Sequence, residues 1–334
     1  MSYNMKNFST IVYLLLISAV ALFAGETDNP YISRVYEYVP APGQFTNLMP
    51  EWEDGDDAEA ILNKVNERLC GVDGSLVCLG AWGGYVTFGF DHPIVNLPDS
   101  CDLALLGNAF YSKIDEQGRQ QGSAEPGIVY VSRDDNNNGM PDDTWYEIAG
   151  SEYSRSRQHY SITYRRPTND TLNVTGTDID GNTITVYHNA FHPQAYYPKW
   201  LGSRYTLTGT LLPTNVLQDA THSWLVFDYG YADNHPNGHP AGFIDIDWAV
   251  DENGEPAQLE SIDFVRVQTG VSADSGNKGE TSTEISGAQD LHPQAALRLT
   301  QHEANKQCCK IIYNGHVIIQ KNGIEYNILG HTIK

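Results

Sequence analysis

Short runs of alternating apolar and polar residues, cut apart by Gly, Pro, Asn and Asp, fill most of this 334-residue chain and leave little room for helix. Strand side chains point alternately to two faces, so a period of two marks a half-buried strand. Val86, Phe88 and Phe90 alternate with Thr87 and Gly89, Ile184 and Val186 with Thr183 and Thr185, and Trp224 and Val226 with Leu225. Ile244, Ile246 and Trp248 form another such set, Val265 and Val267 a further one, and Ile128 to Val131 is wholly apolar. Only Glu59 to Leu69 carries convincing helical spacing, with Ile61, Leu62, Val65 and Leu69 on one side and Gly71 as the stop. No fixed period repeats, which argues against a propeller or solenoid. The expectation is an all-β fold, a jelly-roll-like two-sheet β-sandwich with one short N-terminal helix and a small C-terminal β meander. Segments 111–125 and 230–242 are the longest expected loops, of the length that often carries function.

The two ends stand apart from this pattern. Lys6, the apolar run Ile11 to Phe23 and then Ala24-Gly25-Glu26 have the layout of a secretory signal peptide over residues 1–24. The run is too short to cross a bilayer, so no transmembrane span is expected in the mature chain; a bare buried helix is the alternative. Near the other end, Asn314-Gly315 and Asn322-Gly323 suit two-residue type I′ turns, because Asn-Gly tolerates positive φ at both central positions. Ile311 to Tyr313, Val317 to Gln320 and Ile324 to Ile328 are then expected to pair as an antiparallel module, residues 306–334, too small to be stable without packing on something else. Residues 25–305 form the expected ligand-binding domain.

A formal net charge of −22 argues against nucleic acid as a partner, since a phosphate-binding surface needs Lys and Arg to replace counterions. The charge is uneven: from Lys306 onward four Lys stand against Glu325 alone. Of the five cysteines, Cys70 and Cys78 flank a Gly-containing turn and are candidates for a bridge. No C-x-x-C spacing points to metal or redox use.

Asp134 to Asp143 (DDNNNGMPDD) is the sharpest local signal. Calcium takes six to eight hard oxygens, and short Asp and Asn side chains at alternate positions around a Gly turn can wrap one ion. With Asp134 first, Asn136 stands third, Asn138 fifth, Gly139 sixth, Met140 seventh and Asp142 ninth, as in the first half of an EF-hand-type loop. Trp145 occupies the twelfth position, where a bidentate Glu is usual, so Asp143 or Glu147 is the candidate substitute. A solvated Asx-rich turn is the plainer alternative.

Asp245 and Asp247, on one face of an expected strand, form with Asp228, Asp233 and Glu125 a possible acidic pocket. Such a pocket suits a metal or the acid and base of a glycosidase. An exposed strand face on an acidic protein is the bland reading. Loop aromatics suit a flat ligand such as a sugar: Trp145, Tyr196, Tyr197, Trp200, Tyr229 and Tyr231, with core packing as the alternative. His188 with His192 and His235 with His239 lie four apart but lack the Glu of a zinc-hydrolase helix. No nucleophile elbow, P-loop or dinucleotide fingerprint is present.

LGAWGGYVTFGFDHPIVNLP (79–98), GNAF (107–110), SAEPGIVYVSRDDNNNGMPDDTWYEIAGSEY (123–153), the stretch around YYPKW, DYGYADNHPN (228–237), FIDIDWAVDENGEP and GETSTEISGAQDLH together carry a resemblance. They are similar to uncharacterised bacterial cell surface proteins, some fused to PKD-like domains. Such proteins are often encoded among outer-membrane nutrient-uptake genes, including TonB-dependent cobalamin systems, which implies capture or an accessory role. The closing YNILGHTIK resembles the sorting signal of type IX secretion, which implies passage across the outer membrane. No lipidation Cys follows the apolar run, so a sorting tail is the more plausible means of surface retention.

The function expected is therefore a secreted or cell-surface binding protein, stabilised by Ca2+, that takes a glycan or a cofactor-sized small-molecule nutrient beside uptake or secretion machinery. A carbohydrate-active enzyme, a glycoside hydrolase or lyase using Glu125, Asp228, Asp245 or Asp247, is one alternative. A structural or adhesive surface protein is another.

Overall fold

A computed structural model describes residues 29–72, 74–217 and 223–295, together with the backbone of strands Cys308–Tyr313, His316–Lys321 and Ile324–Tyr326. The expected signal segment lies outside the described residues, as do both Asn-Gly turns of the tail. The architecture is all-β, a sandwich of antiparallel sheets with helix Ala58–Leu69 laid on it. Its main sheet has six strands in the order Arg34–Val39, Tyr85–Val95, Ser261–Thr269, Gly127–Ser132, Trp145–Ile148, Ala249–Val250. A four-stranded sheet runs Thr183–Val186, Val174–Asp178, Arg157–Arg165, Arg204–Leu211, and smaller sheets complete the body. The tail strands pair antiparallel in the expected order.

Asp57 caps the helix by accepting from Ala60 N at 2.9 Å, satisfying one of the amides left over at a helix start. Ile61, Val65 and Leu69 are buried in one core with Val35, Phe88 and Val265 of the main sheet. The opposite face of that sheet is covered as well. Thr87 and Thr269 are wholly buried and Gln268 nearly so, so the strict in-and-out alternation expected for Tyr85–Val95 does not hold. A central strand covered on both faces hides its polar side chains only by satisfying them. Gln268 Nε2 accordingly donates to Gly83 O and Thr208 O, each at 2.9 Å.

The four-stranded sheet is fastened to the rest by Trp82. Its indole is fully buried among Tyr160, Tyr164, Tyr196, Tyr197 and Leu207. Trp82 Nε1 donates to Thr210 O at 3.2 Å, and Tyr164 Oη donates to Trp82 O at 2.9 Å. A glycine-rich turn presents this ring. Gly80 has φ of +72°, and a Cβ there would stand 2.0 Å from Ala41 O, so no other residue fits without moving backbone.

Three expectations are corrected. Residues 111–125 are not a loop: strands Phe110–Ile114 and Gln120–Ser123 pair as a hairpin that leaves Phe110 and Ile114 exposed, and its turn is closed by Asp115 accepting from Gln117 N and Arg119 N. Ile244, Ile246 and Trp248 do not share one strand, because Asp245 accepts from Asp247 N and closes a 3-10 turn over Ile246–Trp248. Cys70, Cys78 and Cys101 are free thiols; Cys78 Sγ is buried 3.1 Å from Ser282 Oγ instead of facing Cys70. No helix among the described residues is long and apolar enough to cross a membrane.

Trp82→Ala is expected to destabilise the protein by about 3–5 kcal/mol in urea unfolding, the usual cost of an aromatic-to-Ala cavity in a packed core. A loss below about 1 kcal/mol would show that the four-stranded sheet is held by other contacts.

Candidate functional site

Strand Trp145–Ile148, near one edge of the main sheet, forms with Arg157–Arg165 and Arg204–Leu211 of the four-stranded sheet a cleft of about 430 Å³. Trp145, Tyr153, Ile179 and Val250 supply its apolar surface, and Glu147, Gln158 and Asp251 its polar groups. The Trp145 ring is fixed from behind. Arg266 stacks its guanidinium 4.4 Å from the centre of that ring and 4.6 Å from the Tyr85 ring. Arg266 is itself held by Glu37, at 2.7 Å, and by Thr87 Oγ1, at 2.9 Å. A desolvated cation on an indole face contributes up to about 2 kcal/mol, which pins a side chain that also lines the cleft.

Glu147 ends in a chain of hydrogen bonds whose protons can be counted. Thr210 Oγ1, on a side chain almost wholly buried, lies 2.5 Å from both Glu147 Oε2 and Gln158 Oε1. Ser156 Oγ gives its proton to Tyr153 O at 2.7 Å and so accepts from Gln158 Nε2 at 2.9 Å, which turns Gln158 Oε1 toward Thr210. One hydroxyl proton cannot serve two acceptors. Thr210 is the donor to Glu147 Oε2, and the crowding of Gln158 Oε1 on the same hydroxyl is relieved when the Gln158 amide turns Nε2 to Thr210 and Oε1 to Ser156 Oγ, which then donates to it. Burial pushes the Glu147 carboxyl up to about 7, against the hydrogen bonds from Thr210 and Gln158, which favour its ionised form. Glu147 therefore belongs to this cleft and does not close the 134–143 loop.

A second polar centre is internal. Glu125, Asp233 and Glu284 bring carboxylate oxygens within 4.8 Å of one another, an arrangement with the donor chemistry of a metal site. Asp233 accepts from Asn108 N, Ala109 N and Glu284 N at 2.9–3.0 Å, with its own φ at +50°. Glu125 accepts from Ser282 N, and Glu284 from Ser282 Oγ. Burial, then mutual repulsion, raises Glu125 and Glu284 well above the ordinary carboxylate range; burial alone, against its three amide donors, puts Asp233 at about 6. Without a cation such a cluster has to carry protons.

Loop 134–143 joins two neighbouring strands of the main sheet, Gly127–Ser132 and Trp145–Ile148. Its side chains converge: Asp134 accepts from Asn138 N and Gly139 N, and Asn136 and Asn138 both donate Nδ2 to Asp142. Asp143 Oδ2 is buried with no hydrogen-bond partner. Met140 O accepts from Asp142 N at 2.9 Å, with Asn137 and Gly139 at positive φ.

The remaining candidates scatter. Glu125 and Asp233 meet, but Asp228 sits by Ser151 and His235, while Asp245 and Asp247 lie against the 96–102 segment, where Asn96 donates to Asp247 at 2.7 Å. Tyr196, Tyr197 and Tyr231 are core residues, 1%, 1% and 3% exposed, and cannot offer ring faces to a ligand. Trp200 packs on Tyr38 and the exposed Tyr229 on Trp248, so Trp145 alone of the six lines the cleft. His235 and His239 stack with ring centres 5.4 Å apart beside Tyr111. Glu284 escaped sequence reasoning because nothing in GETSTEISGAQDLH announces a partner 159 positions upstream at Glu125. No protein-family model and no curated protein matches the chain.

Carboxyls held above their ordinary value stabilise a fold only while protonated. Their contribution is whole below about pH 4.5 and is lost as pH rises through the raised values, about 6 for Asp233 and about 8 for the buried Glu280. Urea stability is expected to fall between about pH 4.5 and 8, and Glu125→Gln, which places an amide N–H inside the cluster, to flatten that fall. Stability that rises over this range would show the cluster to be held ionised.

Proposed function

We propose that this chain is a secreted or cell-surface binding protein whose ligand, a glycan or cofactor-sized nutrient, occupies the Trp145 cleft. The observation that carries this reading is the cleft itself: an aromatic ring clamped in place by Arg266, beside a short set of polar groups, in a concavity within the usual ligand range of roughly 300–1,000 Å³. The resemblance to bacterial cell surface proteins, with a tail similar to a type IX sorting signal, supports an exterior location near uptake or secretion machinery. The scatter of Asp228, Asp245 and Asp247 away from Glu125 leaves the glycosidase alternative without an assembled acid and base among those four.

Calcium fits the 134–143 loop. Asp134, Asp142 and Asp143 bring carboxylates there, with the Met140 carbonyl beside them; Asn136 and Asn138, whose Oδ1 atoms accept from Asn138 N and Met140 N and whose Nδ2 atoms face Asp142, would turn their amide oxygens to the ion, and the orphaned Asp143 Oδ2 is what a hard cation would satisfy. The ion would brace the loop that leads straight into Trp145 and Glu147.

Two outcomes are expected from thermal unfolding of the full chain. Free Ca2+ at about a hundred times its Kd adds about 2.7 kcal/mol that EDTA removes, and Asp134→Ala abolishes the difference. Glycans and corrinoids screened by thermal shift yield a stabilising ligand whose effect is lost in Trp145→Ala; a shift retained by that variant places the ligand elsewhere.

A further inference from the structure

Resting on the Trp145 cleft as the ligand site, we infer that the ligand is a short oligosaccharide with a neutral ring on Trp145 and an anionic group, carboxylate or sulfate, held between Arg165 and Arg204 farther along the same face. That face belongs to the four-stranded sheet. Strands Arg157–Arg165 and Arg204–Leu211 place three cross-strand pairs on it in succession, Ser161 with Thr208, Thr163 with Thr206 and Arg165 with Arg204. Ile162, Tyr164 and Leu207, which alternate with them, are buried on the other side. Ser161 and Thr208 line the Trp145 cleft, and the next two pairs line a second concavity of about 470 Å³. The two hollows therefore adjoin on one floor of hydroxyls.

Arg165 and Arg204 alone among the described arginines have side chains that meet no partner. Every other one faces a carboxylate, a carbonyl or an aromatic ring, as Arg157 does Asp180 and Arg166 the carbonyl of Leu201. Arg166 N donates to Ser203 O at 2.8 Å, so by the antiparallel alternation Arg165 and Arg204 are a pair without ladder hydrogen bonds, with Cβ atoms roughly 4.5–5.5 Å apart. Like charges directly opposite each other destabilise a sheet. Asp178, the one acidic residue lining the second concavity, does not relieve them, because its oxygens accept from Tyr160, Asn182 and Asp180 N. In a chain of net charge −22, two exposed guanidinium groups left facing each other gain nothing for the fold. An anion between them removes the repulsion, and the planar fork of each takes its oxygens in pairs.

The charges along this face orient the ligand. At the Trp145 end Glu147, Asp251 and Glu252 line the wall, so an acidic group is repelled there and an uncharged ring with C–H faces suits the indole. The arginine pair stands at the other end. Thr208 and Arg204 lie four residues apart on one strand, about 13 Å, which is farther than a single sugar ring reaches. A chain of a few pyranose units spans it, with hydroxyls over Ser161, Thr163 and Thr206 on the way. Thr163 Oγ1 and Thr206 Oγ1 are 2.8 Å apart, so one hydroxyl donates to the other and the second proton is left for the ligand. A long polyanion is repelled by the net charge of the whole chain, which confines the acid to one end of the ligand.

The test is calorimetric titration of the full chain in about 50 mM and about 500 mM NaCl, which screen exposed charges to different degrees. The probes are matched sets: lacto-N-tetraose with its sialylated and sulfated forms, and xylotetraose with aldotetraouronic acid, alongside cyanocobalamin. At least one acidic member is expected to bind about tenfold more tightly than its neutral counterpart in low salt, and high salt to narrow that gap. A gain for the sialylated or uronic form assigns a carboxylate to the arginine pair, and a gain for the sulfated form a sulfate. Arg165→Gln combined with Arg204→Gln should lose the preference. Arg34→Gln combined with Arg157→Gln, which removes the same charge from other exposed positions, should keep it. Trp145→Ala should weaken the acidic and the neutral members alike, and urea unfolding checks that each variant is folded. Equal binding of acidic and neutral members by wild type overturns the inference and leaves the cleft standing. So does a preference that survives loss of the arginine pair, one that falls as far in the Arg34 and Arg157 variant, or cyanocobalamin bound more tightly than any glycan. Acidic binding undiminished in Trp145→Ala removes the cleft as the ligand site and this inference with it, as does the absence of binding by every probe.

Discussion

The indole of Trp82 is the contact on which the remaining tertiary structure depends. Two sheets meet there, and Trp82 is buried in the cluster that packs the four-stranded sheet. A buried ring with one N–H settles the matter, because it must be packed on all sides and its single donor must find an acceptor. It finds Thr210 O, on the strand whose side chains form the cleft. The glycine turn that carries Trp82 can be built only without β-carbons, as the approach of Gly84 to Leu79 O, 1.8 Å from a notional Cβ, also shows. Packing in the core thus determines how wide the cleft is and which hydroxyl Glu147 meets.

Polar groups in this protein are sorted by how they are satisfied. Asp residues at turns such as Asp115, Asp142 and Asp251 accept backbone or side-chain N–H groups, which holds each below its ordinary range, although burial opposes this and is the largest influence on Asp115. Internal carboxyls go the other way. Glu125, Glu284, Glu280 and Glu147 are each raised first by burial. Interiors of this kind function with protons, or with a cation in their place. Acidity that would be a liability in the core therefore becomes a source of pH response.

Much of the fold was legible because period and turn chemistry are local. Helix Ala58–Leu69 begins one residue before Glu59, the first residue of its periodic run, with Asp57 as the cap the pattern lacked. Strands Gly127–Ser132 and Thr183–Val186 enclose the apolar or alternating runs that announced them. The hairpin of Phe110–Ile114 with Gln120–Ser123 was invisible, since Phe110–Ile114 buries none of its residues and Gln120–Ser123 has no apolar side chain, so no core-facing period exists to find. FIDIDW deceived in the opposite sense: its alternation is genuine, yet Asp245 prefers the amide of Asp247 to a neighbouring strand. Among the aromatics, chain proximity to loops said nothing of burial, and only Trp145 proved to line the cleft.

By itself the sequence determined what short-range forces govern: an all-β chain, one helix, the convergent Asx loop 134–143, a tail meander and a strongly acidic charge. Tertiary structure decided which distant residues became neighbours. Glu147 met the Thr210 hydroxyl and came to share a cleft with Gln158, 63 and 11 positions away, and Glu125 met Asp233 and Glu284 across three separate segments. Spacing along a strand cannot encode such meetings, because they are fixed by how sheets stack around a buried ring and by the requirement that every polar atom carried inside find a partner.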